Sequence, residues 1–314
     1  MLTRRHIRIK VVQSVYSFKV CEGKMLDDEI VFFKDSIAKS YDLYFLMFSL
    51  LKSIKQYVDD QLVTYNTHKI LKDQKYLKLK RLSDNRFLEF INQHKVLNKY
   101  LKNKKFISWD LEFIFTKDLV EEIISNEAFK VYLGNKNPSE KDDLEWLIKS
   151  FKNIIASSSY LYNYLEDNNL TWVDDLPVVN TFILKTLKKL KTDNLESLKF
   201  PKIDESFDDI EFGIQLLKKS ILEEEKLLKE LEGKTPNWGA ERIAQMDKVI
   251  LKIAIAEILH FPEIPTKVTI NEYLEISKDY STPNSNNFIN GVLDKLVREF
   301  VDEKRMIKQG RGLL

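Results

Sequence analysis

The residues best equipped for chemistry lie at the very start of the chain. Arg4, Arg5 and Arg8 crowd into T-R-R-H-I-R-I-K, with Lys10 and Lys19 behind them and no acid before Glu22. Guanidinium groups gathered without counter-charge suit phosphate, which they hold by charge and by paired hydrogen bonds. Two other readings fit the same stretch: a solvated helix face, and an acid-free amphipathic leader of the mitochondrial type. Patterns for catalysis are missing. G-K-T at 233–235 lacks the upstream glycine that a phosphate-wrapping loop needs, so it reads as a turn, and no G-x-G-x-x-G occurs. Four histidines and one cysteine, Cys21, show no metal-ligand spacing. His260 reads as a helix-end residue, and the many acids read as solvated faces. The expectation is a binding protein and not an enzyme, with no metal and no cofactor.

The elements that position these residues are helices. With only 8 glycines and 7 prolines in 314 residues and 44% hydrophobic residues, the composition favours long helices and ample core, in one large or two modest units. The lone cysteine suits a reducing compartment. The longest apolar run, from Leu43 to Leu51, is too short to cross a membrane. Spacing predicts a first helix over about 4–20, with Ile7, Val11, Ser14, Val15 and Phe18 inward and Arg4, Arg5, Arg8 and Tyr16 partly outside. A second helix is predicted over about 27–59, and a long one over 214–231. Three more follow in series. Met246, Ile250 and Ile253 mark the first; Pro262 and Pro265 end it. Ile270, Tyr273, Leu274 and Ser277 mark the second. Ser285 reads as the cap of the third, whose stripe is Phe288, Ile289, Val292, Leu293, Leu296, Val297 and Phe300, with Gly291 as a point of close helix approach.

Between these ends the chain is less regular. Residues 68–105 hold ten lysines with Arg81 and Arg86 against three acids, interleaved with Tyr76, Phe87, Phe90 and Tyr100. That pattern fits either a nucleic-acid surface or a lysine-rich helical hairpin with its aromatics turned inward. A loop is predicted at G-N-K-N-P-S, 134–139. A faint echo relates the stretch around Trp172 to that around Trp238, as a duplicated helical unit would, or as chance similarity between amphipathic helices.

K-V-T-I-N-E-Y-L-E-I-S-K-D-Y, followed by F-I-N-G-V-L-D-K-L, resembles the C-terminal signature of the NusB family of transcription antitermination factors. The upstream R-I-A-Q-M-D-K-V-I-L-K-I-A-I-A-E-I-L is similar to the helix before it, and T-R-R-H-I-R-I-K-V-V-Q-S-V-Y-S-F to the family's arginine-rich first helix. The resemblance implies an all-α fold of NusB-like helical bundles in two small subdomains, here with an additional helical insertion. The corresponding division is 1–60 (N-terminal helices), 61–200 (divergent insertion, basic then acidic) and 201–314 (C-terminal bundle). It further implies a bacterial cytoplasmic protein that binds single-stranded boxA-type RNA together with NusE, a small-subunit ribosomal protein. In the RNA polymerase antitermination complex the pair promotes read-through of ribosomal RNA operons, with no membrane role. By the same resemblance Arg4, Arg5 and Arg8 would contact phosphates, with His6 where relatives often carry another arginine. Tyr16 would stack on a base or pack against the partner. Asn287, where a lysine is common in relatives, and Phe288 would complete the RNA set, although Phe288 also fits a core position. Glu241 and Asp247 would lie on the partner-protein face. Two alternatives stay open: the RNA-binding module of an RNA cytosine methyltransferase, which would need a cofactor domain after the bundle, and a helical interaction scaffold without an RNA role.

Overall fold

The computed structural model describes residues 1–21, 23–71, 73–104, 109, 113–190, 194–195, 198–202, 207–234, 244–306 and 308. Among these the chain is all-α, as expected, with no strand. The helices are α1 (Arg4–Val20), α2 (Leu26–Thr67), α3 (Gln74–Ser83), α4 (Arg86–Gln93), α5 (Lys95–Asn103), α6 (Phe113–Ser125), α7 (Glu127–Gly134) and α8 (Glu140–Ser150). A π-helical turn, Phe151–Ile155, prolongs α8. Then come α9 (Ser159–Asn168), α10 (Thr171–Lys189), α11 (Phe207–Leu222), α12 (Glu224–Lys229), α13 (Gln245–His260), α14 (Thr266–Tyr280) and α15 (Ser285–Asp302). No helix among the described residues is long and apolar enough to cross a membrane.

Two compact units divide the chain. A central unit spans Ala38–Ile203 together with Met1, and a terminal unit combines Leu2–Ile37 with Asp204–Leu314. The central unit is organised by the apolar run of α2. Leu43 through Leu51 are all buried, because a helix that is apolar all round needs neighbours on every side. Tyr44, Phe45, Phe48 and Phe200 form an aromatic cluster there, and Phe45 lies face to face with Tyr100 at 3.6 Å. The stretch at 68–105 becomes α3, α4 and α5, and its aromatics turn inward. Phe87 is fully buried, Tyr100 donates to Asp42 at 2.5 Å, and Tyr76 and Phe90 pack against the core. Several of its cations are already engaged: Lys75 with Glu121, Lys80 with Asp84, Lys104 with Asp42 and Arg86 with Glu140.

The terminal unit is built around α13, which touches α1, α11, α12, α14 and α15. From Val249 to Ile258 every residue is buried. Its three buried charges are each answered from a different neighbour, as burial demands. Asp247 accepts from Ser281 and Ser285, Lys252 donates to Glu224 at 3.0 Å, and Glu257 meets Arg8. At Gly213 on α11 an added Cβ would press into the Phe33 ring and Ile7, so this glycine sets the close approach of α11 to α1 and α2.

Several local expectations need correction. Helix α2 runs eight residues past Asp59, to Thr67, since no glycine or proline interrupts the sequence. The expected helix over 214–231 is instead α11 and α12, parted at Glu223, whose backbone leaves the helical region (φ −107°, ψ 20°). Ser285 does not cap α15. Asn284 holds that place, and the Ser285 hydroxyl turns inward to Asp247. Gly291 faces open space and brings no helix close. Trp172 is buried on α10, whereas Trp238 lies outside the described residues.

Candidate nucleic-acid interface

Helix α1 starts at Thr3 without an acid in its first turn, so nothing local offsets the exposed backbone N–H groups by charge. His6 supplies part of the answer. Its Nδ1 accepts the Thr3 backbone N–H at 3.0 Å, in the place where a capping box usually has Glu or Gln. Burial, aided by the charges of Arg5 and Lys10, lowers the His6 pKa to about 4. A proton on Nδ1 would abolish the acceptor, so the folded chain keeps this ring neutral.

The three arginines come together around one groove of about 520 Å³, shared with Ile264 and Pro265 from the α13–α14 connection and Val268 from the first turn of α14. Each has a carboxylate partner from a distant part of the sequence. Arg4 Nε donates to Asp209 at 3.0 Å. Arg5 forms a two-pronged pair with Glu272 at 2.7 and 2.9 Å. Arg8 forms another with Glu257, both contacts at 2.7 Å. The Phe212 ring lies 5.2 Å from the guanidinium carbons of both Arg4 and Arg8.

Burial separates these pairs into two kinds. The Arg4 and Arg5 side chains are 46% and 44% exposed, so their pairs sit in water, where such a contact contributes at most about 1 kcal/mol and exchanges readily. Arg8 is only 2% exposed and Glu257 is fully buried. This corrects the expectation that Arg8 lies partly outside: the α1 face carrying it is covered by α13 and α14. Thr269 Oγ1 and Tyr273 OH add donors to Glu257 at 2.8 and 3.0 Å. Desolvation works against the Arg8 charge, but the hydrogen bonds and charge of Glu257 outweigh it and raise the Arg8 pKa. The Glu272 bond likewise raises Arg5, and Arg5 in turn lowers Glu272.

The remaining candidates lie elsewhere. Tyr16 is 37% exposed on α1, eleven residues and so about 16 Å along the helix from Arg5. Asn287 is exposed and Phe288 half-buried in the first turn of α15, and neither lines the groove. Asp247, expected on a partner face, is buried and occupied in fixing the α14–α15 turn through Ser281 at 2.5 Å and Ser285 at 2.8 Å. Glu241 lies outside the described residues. Inspection of the sequence misses the counter-charges Asp209, Glu257 and Glu272. In K-V-T-I-N-E-Y the four-residue spacing of Thr269 and Tyr273 does place two hydroxyls on one helix face, but nothing local names their target.

The His6 geometry carries a pH dependence. A histidine whose folded pKa is depressed contributes stability above its unfolded value near 6.5, and that contribution is lost as pH falls through 6.5 towards about 4. The melting temperature should therefore fall between pH 7 and pH 4.5 by more in the natural chain than in His6→Gln, which keeps an acceptor at the same position without titrating. Parallel melting curves across that range would remove His6 from this role.

Comparison with known proteins agrees with the architecture. The family model described as the NusB family matches residues 178–298, from within α10 to α15. Over 112 residues the chain is 38% identical to the transcription antitermination protein NusB of Salinibacter ruber, covering 36% of this chain and 70% of that one. The namesake from Geotalea daltonii is 32% identical over 124 residues, covering 40% of this chain and 83% of its own length. That from Chloroherpeton thalassium is 46% identical over 78 residues, covering 25% and 37%. No solved structure matches. With more than two thirds of two such relatives covered and an all-α terminal unit built around the matched helices, the chain belongs to the NusB family.

Proposed function

We propose that this protein is a transcription antitermination factor that binds single-stranded boxA-type RNA together with NusE and so promotes read-through in ribosomal RNA operons. The observation that carries the reading is the groove at the α1 N-terminus, where Arg4 and Arg5 remain half exposed in a member of this family. A phosphate can replace Asp209 and Glu272 as their partner at small cost, because the exposed pairs it displaces are themselves weak. Ile264, Pro265 and Val268 supply apolar surface beside those cations, suited to a base or ribose. Arg8 acts behind this surface, holding α1 to α13 and α14. Tyr16, Asn287 and Phe288 are assigned to a second contact region, for RNA or for NusE. Residues 61–200 are read as the family-divergent insertion between the N-terminal helices and the C-terminal bundle. The site of action is the bacterial cytoplasm, within the RNA polymerase antitermination complex.

Fluorescence anisotropy of a labelled boxA-like RNA, with and without NusE, tests this. Binding should tighten with NusE and be selective for the boxA sequence. Its salt dependence should show a slope of about −0.7 per phosphate contact, so roughly −2 to −3.5 for three to five contacts. Arg4→Ala and Arg5→Ala should each reduce that slope by about 0.7. Equal affinity for any RNA would point instead to the lysines of 68–105 acting as a non-specific surface, and no binding in either state would favour the scaffold reading.

A further inference from the structure

In the central unit a second cavity, of about 310 Å³ and mainly polar, is lined from the α3–α4 turn and the α7–α8 loop. Three cations reach it: Arg81, Arg86 and Lys136. Two carboxylates share the lining, and both are engaged. Asp84 pairs with Lys80. Asp143 is buried, accepting from Tyr132 OH at 2.6 Å and from the Arg86 backbone N–H at 3.5 Å. Arg86 meets Glu140 at 2.5 Å in an exposed pair that an incoming anion can exchange. Lys136 is exposed.

Arg81 is the fixed member of the set. Its Nη2 donates to the Tyr132 carbonyl at 3.1 Å, and its guanidinium lies 4.8 Å from the Tyr132 ring centre. That clamp leaves Nε buried with no hydrogen-bond partner among the described residues. An oxyanion with several acceptor oxygens meets the fixed Arg81 guanidinium and the two mobile cations at once, which a singly charged carboxylate does less completely.

We propose that this cavity binds a phosphate-type oxyanion, with the guanidinium of Arg81, held on Tyr132, as the positioned cation and Arg86 and Lys136 supplying further charge. The site owes nothing to the α1 groove, so the two stand or fall separately. Such an oxyanion comes either from free phosphate or from an RNA backbone.

Two-dimensional NMR of the arginine Nε–H groups in the full chain reads the site directly, the Arg81 signal being assigned by its loss in Arg81→Lys. Inorganic phosphate and a short single-stranded RNA are titrated separately. The Arg81 signal should shift saturably, and Lys136→Gln should weaken the binding about tenfold without changing the melting temperature. In the titration with inorganic phosphate the Arg81 shift should be the same in Arg5→Ala as in the natural chain. Saturation by phosphate alone assigns a free anion, and saturation by RNA at lower phosphate equivalents assigns the backbone; either supports the site. No shift with either ligand, or a shift that Lys136→Gln leaves intact, overturns it.

Discussion

Arg8→Ala is expected to destabilise the protein by about 3–5 kcal/mol, the cost of leaving one member of a buried ion pair alone. In its absence Glu257, with no exposure to water, would keep, among the described residues, only the Thr269 and Tyr273 hydroxyls as donors. Arg4→Ala should cost no more than about 1 kcal/mol, although it removes the same side chain one helical turn earlier. Denaturation midpoints followed by circular dichroism give the comparison. The double variant Arg8→Met with Glu257→Gln separates structure from recognition. Removing both charges while filling the volume should restore much of the stability. If Arg8 only positions α1, this double variant also retains RNA binding, while Arg4→Ala with Arg5→Ala loses it at a cost of no more than about 1 kcal/mol per pair removed. Restored stability with lost RNA binding would make Arg8 a direct phosphate contact.

The contrast among the three arginines shows where sequence reading stops. Ile7, Val11 and Val15 are buried as their spacing predicts, and so are Ile250, Ile253, Tyr273, Leu293 and Leu296. Periodicity identifies such faces because apolar residues can only go inward. It says little about Arg4 and Arg8, which share one α1 face four residues apart and differ only in what covers them. Arg8 is covered by a carboxylate 249 positions away in the chain, and no local pattern encodes that partner. Asp247 follows the same logic. An acid in the first turn of a helix ordinarily faces water, and only the arrival of α14 and α15 with two serine hydroxyls makes burial acceptable. The aromatics at 68–105 were ambiguous for a related reason. Tyr100 has the composition of a stacking platform, but its ring is already stacked, on Phe45.

The second large effect is expected at Asn85, which lies at 0% exposure between α3 and α4. Its side chain uses every hydrogen-bonding position it has. Oδ1 accepts from the backbone N–H groups of Phe87 and Leu88, both at 3.1 Å, capping α4. Nδ2 donates to Tyr132 OH at 3.2 Å and to the Asp143 carbonyl at 3.1 Å, tying α4 to α7 and α8. Asn85→Ala removes the cap, about 0.5–2 kcal/mol, and strands buried acceptors at a further 1–3 kcal/mol, so a loss of about 1.5–5 kcal/mol is expected. Asn85→Asp distinguishes the two contributions. It preserves the cap but turns an acceptor towards Tyr132 OH and the Asp143 carbonyl, and it adds a negative charge beside the buried Asp143. If capping dominates, the aspartate variant should melt near the natural chain; if the bridge to α7 and α8 dominates, it should melt as low as alanine or lower. The second outcome is the one expected, because a cap can be replaced by water at a helix end, whereas two buried acceptors facing a carboxylate have nothing to turn to.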